Sequence, residues 1–148
     1  MKYKDLIDEA FQAMEDAYAP YSNYHVGACL LTKDGRRFRG VNIENSSYGA
    51  TNCAERSAIF AAYSYGYRKK DIEAIAIVSD GNTLGAPCGI CRQVMADLFE
   101  ADTPILLANK KAIIKKPISV NCSLLLSQIR ICTDEKLFRC DHRPGQCG

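Results

Sequence analysis

Apolar residues recur at helical spacing near the start of the chain: Leu6, Ile7, Ala10, Phe11, Met14, Ala17 and Tyr18, with Pro20 closing the run. This spacing predicts an amphipathic helix over residues 3–18 with one stripe turned to a core. From Val26 to Thr32 the apolar positions are nearly continuous, Lys33-Asp34-Gly35 offers a turn, and Phe38 to Ile43 resumes as strand. A β-hairpin is expected there, with Asn42-Ile43-Glu44-Asn45 where its second strand ends. Thr51 or Asn52 is placed to cap a second helix whose face includes Ala54, Ala58, Ile59 and Ala62 and which ends near Gly66. Cys53 and Glu55 then fall in its first turn.

Glu73 to Ser79 reads as a short apolar strand, Asp80 to Pro87 as a Gly-containing loop, and Cys88 to Phe99 as a third helix carrying Cys88 and Cys91 in its first turn. Pro104 to Ala108 and Ala112 to Lys116 read as further strands, and Val120 to Ile131 as a weaker helical stretch. A hairpin followed by helix, strand, helix and strand implies one mixed sheet with helices on both faces. The fold class is therefore α/β, a three-layer α/β/α sandwich. In it, two helices that each follow a strand or loop can bring their N-termini to one point.

Length and charge narrow what such a domain does. With 148 residues and 47% hydrophobic composition the chain can bury one core, so residues 1–131 are read as a single domain. Nineteen Lys and Arg against 17 Asp and Glu leave a net charge of +2, too weak a field to imply nucleic acid or an anionic membrane. A small neutral or modestly charged partner is expected instead. The N-terminal segment has no apolar stretch suited to a signal peptide or membrane span, which predicts a cytoplasmic protein. Eight cysteines in a reducing compartment point to metal or catalysis before disulfides.

Cys88 and Cys91 are three residues apart, so both sulfurs project from one face of a first helical turn and can share an ion. A lone CxxC is also compatible with a redox pair, half of a structural zinc site, or chance. Its context changes the balance: Cys53-Ala54-Glu55 stands upstream, and the pair itself reads Pro87-Cys88-Gly89-Ile90-Cys91. A metal ligand two residues before a glutamate, followed by PCxxC, is the signature of the zinc deaminases. Three thiolates leave one tetrahedral position of zinc open for water, which separates a catalytic site from a closed structural one. Zinc lowers the pKa of bound water toward about 7, although three anionic ligands blunt that effect. Helix N-termini offset the negative charge, and Arg56 is a candidate to donate to the cysteine sulfurs rather than to be a plain solvated arginine. Glu55, close to Cys53 without sharing its direction, suits a proton shuttle better than a surface charge.

The chain resembles the cytidine deaminases of pyrimidine salvage, homotetrameric zinc enzymes that convert cytidine and deoxycytidine to uridine and deoxyuridine. The resemblance rests on Ala19-Pro20-Tyr21-Ser22 with Val26-Gly27-Ala28, on Asn42-Ile43-Glu44-Asn45, on Cys53-Ala54-Glu55-Arg56, and on Pro87-Cys88-Gly89 through Cys91-Arg92-Gln93-Val94, and it runs to about residue 120. It implies a cytidine deaminase-like sandwich with one zinc per subunit on Cys53, Cys88 and Cys91, and Glu55 as the catalytic proton carrier. It further implies sugar contacts from Asn42 and Glu44, a base or sugar contact from Tyr24, a backbone contact to the base from Ala54, and Arg56 beside the ligand sulfurs. Ser47 and Tyr48 are implied to reach a neighbouring subunit's site. Cys29, inside an apolar strand, is read as a small core residue.

After Val120 the family pattern stops, and four of the eight cysteines fall in the last 27 residues. Residues 132–148 are read as an atypical Cys-rich tail. One reading makes Cys132, Cys140, His142 and Cys147 a second metal site; a blander one is a replaced C-terminus. Phe138 is the tail's candidate for the aromatic that closes a neighbour's pocket in the family. Two other functions stay in view: a deaminase of an aminopyrimidine antibiotic or nucleotide, and a structural zinc protein with a decayed site. Asn42 and Glu44 favour a free nucleoside, since a phosphate ordinarily needs added cations. Intact Glu55 and only three ligands speak against the structural protein.

Overall fold

The computed structural model describes residues 3–117. The stretch Val120–Ile131 and the tail with Cys132, Phe138, Cys140, His142 and Cys147 lie outside the described residues. The first helix, α1, spans Lys4–Met14, and the hairpin follows as β1 (Val26–Thr32) and β2 (Arg37–Val41). Next come α2 (Ala54–Ser64), β3 (Ile72–Ser79), α3 (Gly89–Leu98), β4 (Pro104–Ala108) and β5 (Ile113–Pro117). The strands form one sheet in the order β2-β1-β3-β4-β5. The β3–β4 pair is parallel and the other pairs are antiparallel. α3 is the crossover that a parallel pair requires.

Strand alternation sorts the core into two layers. Ala28, Leu30, Ile75, Ile77, Ile105 and Leu107 face α2 and α3, where they meet Ala58, Ile59, Ala62, Met95 and Phe99. Cys29, Ala74, Ala76, Val78, Leu106 and Ala108 face the other way, onto Leu6, Ile7 and Ala10 of α1. The three-layer sandwich read from the sequence is the architecture found. Cys29 is fully buried in the α1 layer, and burial pushes its thiol up to about 12, as suits an inert core residue.

Two glycines set how closely the helices lie on the sheet. A Cβ at Gly27 would stand 2.7 Å from the Met14 amide nitrogen, so α1 can rest on β1 only where β1 has no side chain. Likewise a Cβ at Gly40 would run into the Ala54 carbonyl and the Ala58 amide. Gly40 therefore lets the first turn of α2, which carries Glu55, sit directly on β2.

Boundaries shift where tertiary bonds compete with helix or strand. α1 stops at Met14, not residue 18, because the Tyr18 amide donates to the Asn42 carbonyl and Glu44 donates back to Tyr18. β2 ends at Val41, not Ile43: the Asn42 amide still donates to Val26, but Ile43 turns to bridge Tyr18 on one side and Asn52 on the other. Cys53 and Cys88, expected inside first turns, are themselves the capping residues, each with extended backbone. Thr51 and Asn52 precede that cap and serve other bonds.

Candidate active site

The cap positions explain the metal spacing. A capping side chain reaches back over the third residue of its helix. In α3 that pair is Cys88 and Cys91; in α2 it is Cys53 and Arg56. The two helix N-termini meet on one side of the sheet, so the three sulfurs lie within 4.8 Å of one another. Cys53 Sγ is 3.8 Å from Cys88 Sγ. Two sulfurs on one tetrahedral zinc, each at about 2.3 Å, stand about 3.8 Å apart, so the spacing fits that ion. Burial grades from Cys91, fully enclosed, through Cys53 to exposed Cys88, leaving one open flank.

Two of the packed thiols, Cys53 and Cys91, compete for one negative charge. The hydrogen bond from Cys91 lowers Cys53 to about 5, against its burial and with help from Arg56 and Cys88. Its bond to Cys53, followed by burial, pushes Cys91 well above the usual thiol range. Cys53 ionises readily at the expense of Cys91, and a positive ion beside them would favour the thiolate of both. Arg56 Nη2 lies 3.4 Å from Cys53 Sγ and 3.4 Å from the Thr51 carbonyl, which aims the guanidinium at the sulfur.

Glu55, only 5% exposed, stands against this cluster. Burial pushes its carboxyl up to about 7, and the Cys53 charge adds to the rise, opposed by hydrogen bonds from its own backbone and from Cys91. A carboxyl balanced between its two forms near neutral pH, touching a sulfur of the metal cluster, can both take and give a proton.

A family model described as the cytidine and deoxycytidylate deaminase zinc-binding region matches residues 1–106. The chain belongs to this deaminase family. Among relatives, a cytidine deaminase of Halalkalibacterium halodurans is 60% identical over 104 residues, which is 70% of this chain and 77% of that protein. A cytidine deaminase of Sporosarcina psychrophila is 47% identical over 116 residues, covering 78% of this chain and 84% of its own. The crystal structure of cytidine deaminase from Burkholderia pseudomallei superposes with a TM-score of 0.76 at 46% identity, covering 80% of this chain and 94% of that one. The matched region is described as zinc-binding, and the cluster of Cys53, Cys88 and Cys91 is one that could hold such an ion.

The remaining residues expected at a deaminase site fall into three groups. Asn42, Glu44 and Tyr24 gather on one side. Asn42 Oδ1 accepts from the Val26 amide at 2.8 Å and Nδ2 donates to the Tyr24 carbonyl at 2.8 Å, leaving one amide proton and one lone pair free of these bonds. Glu44 accepts from the Tyr21 amide at 2.8 Å, from the Ser22 amide, and from the Ser22 hydroxyl in a short bond. The Ser22 bond, opposed by burial, helps hold its carboxyl below the usual range. The Tyr24 ring lies over the loop after β3, where a Cβ at Gly81 would stand 2.9 Å from the ring.

Ala54 is fully buried at the start of α2, against Gly40. Ser47 and Tyr48, by contrast, stand clear of this cluster on a 3-10 turn, with Tyr48 90% exposed. Sequence reasoning missed three participants: Ser22 as partner of Glu44, and the pair His25 and Asp80 beneath Tyr24. Ser22 falls inside the quoted Ala19–Ser22 segment, so a signal was present. His25 and Asp80 are 55 residues apart and no spacing rule links them.

Proposed function

We propose that this chain hydrolyses the C4 amino group of cytidine and deoxycytidine, releasing ammonia and giving uridine and deoxyuridine, as in pyrimidine salvage. The observation that carries the reading is the buried Glu55 carboxyl in contact with a three-thiol cluster that fits zinc. When bound by Cys53, Cys88 and Cys91, zinc supplies a water acidic enough to attack C4 at neutral pH. Glu55 takes the proton released from that water and delivers it to ring nitrogen N3. As the C4–N4 bond breaks, Glu55 takes the proton of the new C4 hydroxyl and passes it to the departing amine, so the pyrimidine keeps the oxygen and loses ammonia. Arg56 holds the Cys53 sulfur and moderates the negative charge of three thiolates.

Nucleoside binding falls to the other flank. Asn42 and Glu44 contact the sugar hydroxyls through the groups left after their internal bonds, Tyr24 lies against the base or sugar, and Ala54 meets the base through its backbone. The exposure of Tyr48 supports a site completed by a neighbour: Ser47 and Tyr48 reach an adjoining subunit in a homotetramer. No described helix is long and apolar enough to cross a membrane.

The test pairs metal analysis with turnover. Zinc is expected at one per chain, and cytidine absorbance is expected to fall as uridine forms. Full turnover by Glu55→Ala with zinc retained would refute the proton shuttle. A fourth sulfur ligand in the spectrum of the cobalt-substituted protein would favour a structural zinc site instead. Light scattering reports the tetramer.

A further inference from the structure

We infer that the His25–Asp80 pair positions the two sugar-binding side chains, and so governs affinity for the nucleoside ribose. The inference rests on the nucleoside deaminase reading above and adds two residues to its machinery.

The bonds around residue 25 form a bracket. On one side the Asn42 side chain spans it, accepting from the Val26 amide and donating to the Tyr24 carbonyl, each at 2.8 Å. On the other side Asp80 takes hold of it twice: the His25 amide donates to Oδ1 at 3.1 Å, and ring Nδ1 lies 2.6 Å from Oδ2. The Asp80 amide returns a bond to the His25 carbonyl at 3.2 Å. The backbone at this point is thus fixed between β2 and the end of β3.

The segment pinned in this way also carries Glu44. Its carboxylate accepts from Tyr21 and Ser22, and the Ser22 hydroxyl in turn accepts from the Tyr24 amide at 3.1 Å. Within this turn Asn23 has a positive φ of 52°, a conformation that needs support from its surroundings. The β1–β3 ladder begins at Val26, and the Asp80 side chain extends that tie by two bonds to the residue before it, where the turn ends. With those two bonds lost, Asn42 and Glu44 would move together, because Asn42 holds residues 24 and 26 and Glu44 holds residues 21 and 22 of one short turn that the Tyr24–Ser22 bond closes. His25 and Asp80 are half-exposed and touch no zinc ligand in these bonds, so their role is positioning rather than catalytic.

The experiment uses the zinc-loaded full chain with His25→Ala, Asp80→Ala, the double variant and His25→Gln. His25→Ala is expected to raise KM for cytidine about fivefold, the scale of one ordinary hydrogen bond, and Asp80→Ala, which also loses the bond from the His25 amide, by more, each with kcat within about twofold. The double variant should be no worse than Asp80→Ala, which already removes both bonds of the pair. His25→Gln, which keeps a donor for Asp80, should recover most of the affinity. For dideoxycytidine, which lacks the sugar hydroxyls that Asn42 and Glu44 would bind, KM should hardly change.

Equal effects on both nucleosides, or single effects that multiply in the double variant, would overturn the inference. Amide hydrogen exchange at Tyr21, Ser22 and Val26 gives a readout independent of turnover: it should quicken in His25→Ala, and unchanged exchange would refute the pair's role. If the unmodified chain turned over no cytidine, the functional reading would fall, while exchange would still decide whether the pair fixes the turn.

Discussion

Arg56 stands at the third position of α2 with its guanidinium 3.4 Å from the sulfur of Cys53, the residue that caps the same helix. Cys91 has the same relation to Cys88 in α3. At the cap-and-third-residue spacing one helix presents two ligands, and the other presents one ligand and its charge partner. Arg56→Gln keeps a donor while removing the charge. It is expected to weaken zinc retention about 10–100-fold in competition with a chelator, in the range for lost partners of metal ligands.

Glu55→Gln keeps size and burial but cannot carry a proton. Its kcat for cytidine should fall by about 10²–10⁴-fold, the span of general acid–base catalysis, with zinc content unchanged by atomic absorption. A fall in zinc content matching the fall in rate would show instead that Glu55 serves the metal site's structure.

Gly40→Ala tests the approach of α2 to the sheet. The added Cβ meets the Ala54 carbonyl and the Ala58 amide, which are backbone and cannot swing aside. Overpacking of this kind costs about 1–3 kcal/mol, readable as a lower denaturation midpoint. Because Ala54 precedes Glu55, turnover should drop as well. At Gly35, where no atom lies within 4 Å, a positive φ of 88° leaves alanine strained by backbone alone.

Glu9 on α1 gives the fold an acid-sensitive tie. Arg37 Nη1 donates to it at 2.7 Å and Arg39 Nε at 2.9 Å, joining the helix to β2. Burial raises its pKa, but the two arginines outweigh burial and bring it below the ordinary 4.5. A depressed carboxylate contributes its stability above the unfolded value and loses it as pH falls through the folded one. Denaturant midpoints should therefore decline more steeply below about pH 4.5 in the unmodified chain than in Glu9→Gln.

The layers follow patterns visible in the chain: Val26–Thr32 and Pro104–Ala108 coincide with the strands found, and alternation assigns Cys29 and Leu30 to opposite faces. The clustering of Cys53, Cys88 and Cys91 was legible in part, since the three-residue spacing of Cys88 and Cys91 is local and Cys53-Ala54-Glu55 sets an acid at fixed offset. The ends of α1 and β2 were not legible, because Tyr18 and Ile43 are claimed by each other across the fold rather than by their own periodic runs. Nor was the double use of Asn42, whose side chain serves backbone groups of residues 24 and 26 before any ligand. Long-range polar partners such as His25 and Asp80 leave no mark on hydrophobic spacing.

The parallel pairing of β3 with β4 has a consequence for how the protein is made. Cys53 enters from the helix before β3, and Cys88 and Cys91 from the helix after it. Their sulfurs converge only once β3 has been seated between β1 and β4. Non-local pairings of this sort form late, because loop closure must come first. Zinc capture then becomes a checkpoint on assembly: a chain with a misregistered central strand presents at most a two-sulfur site, and metal loading during refolding would time the arrival of the native topology.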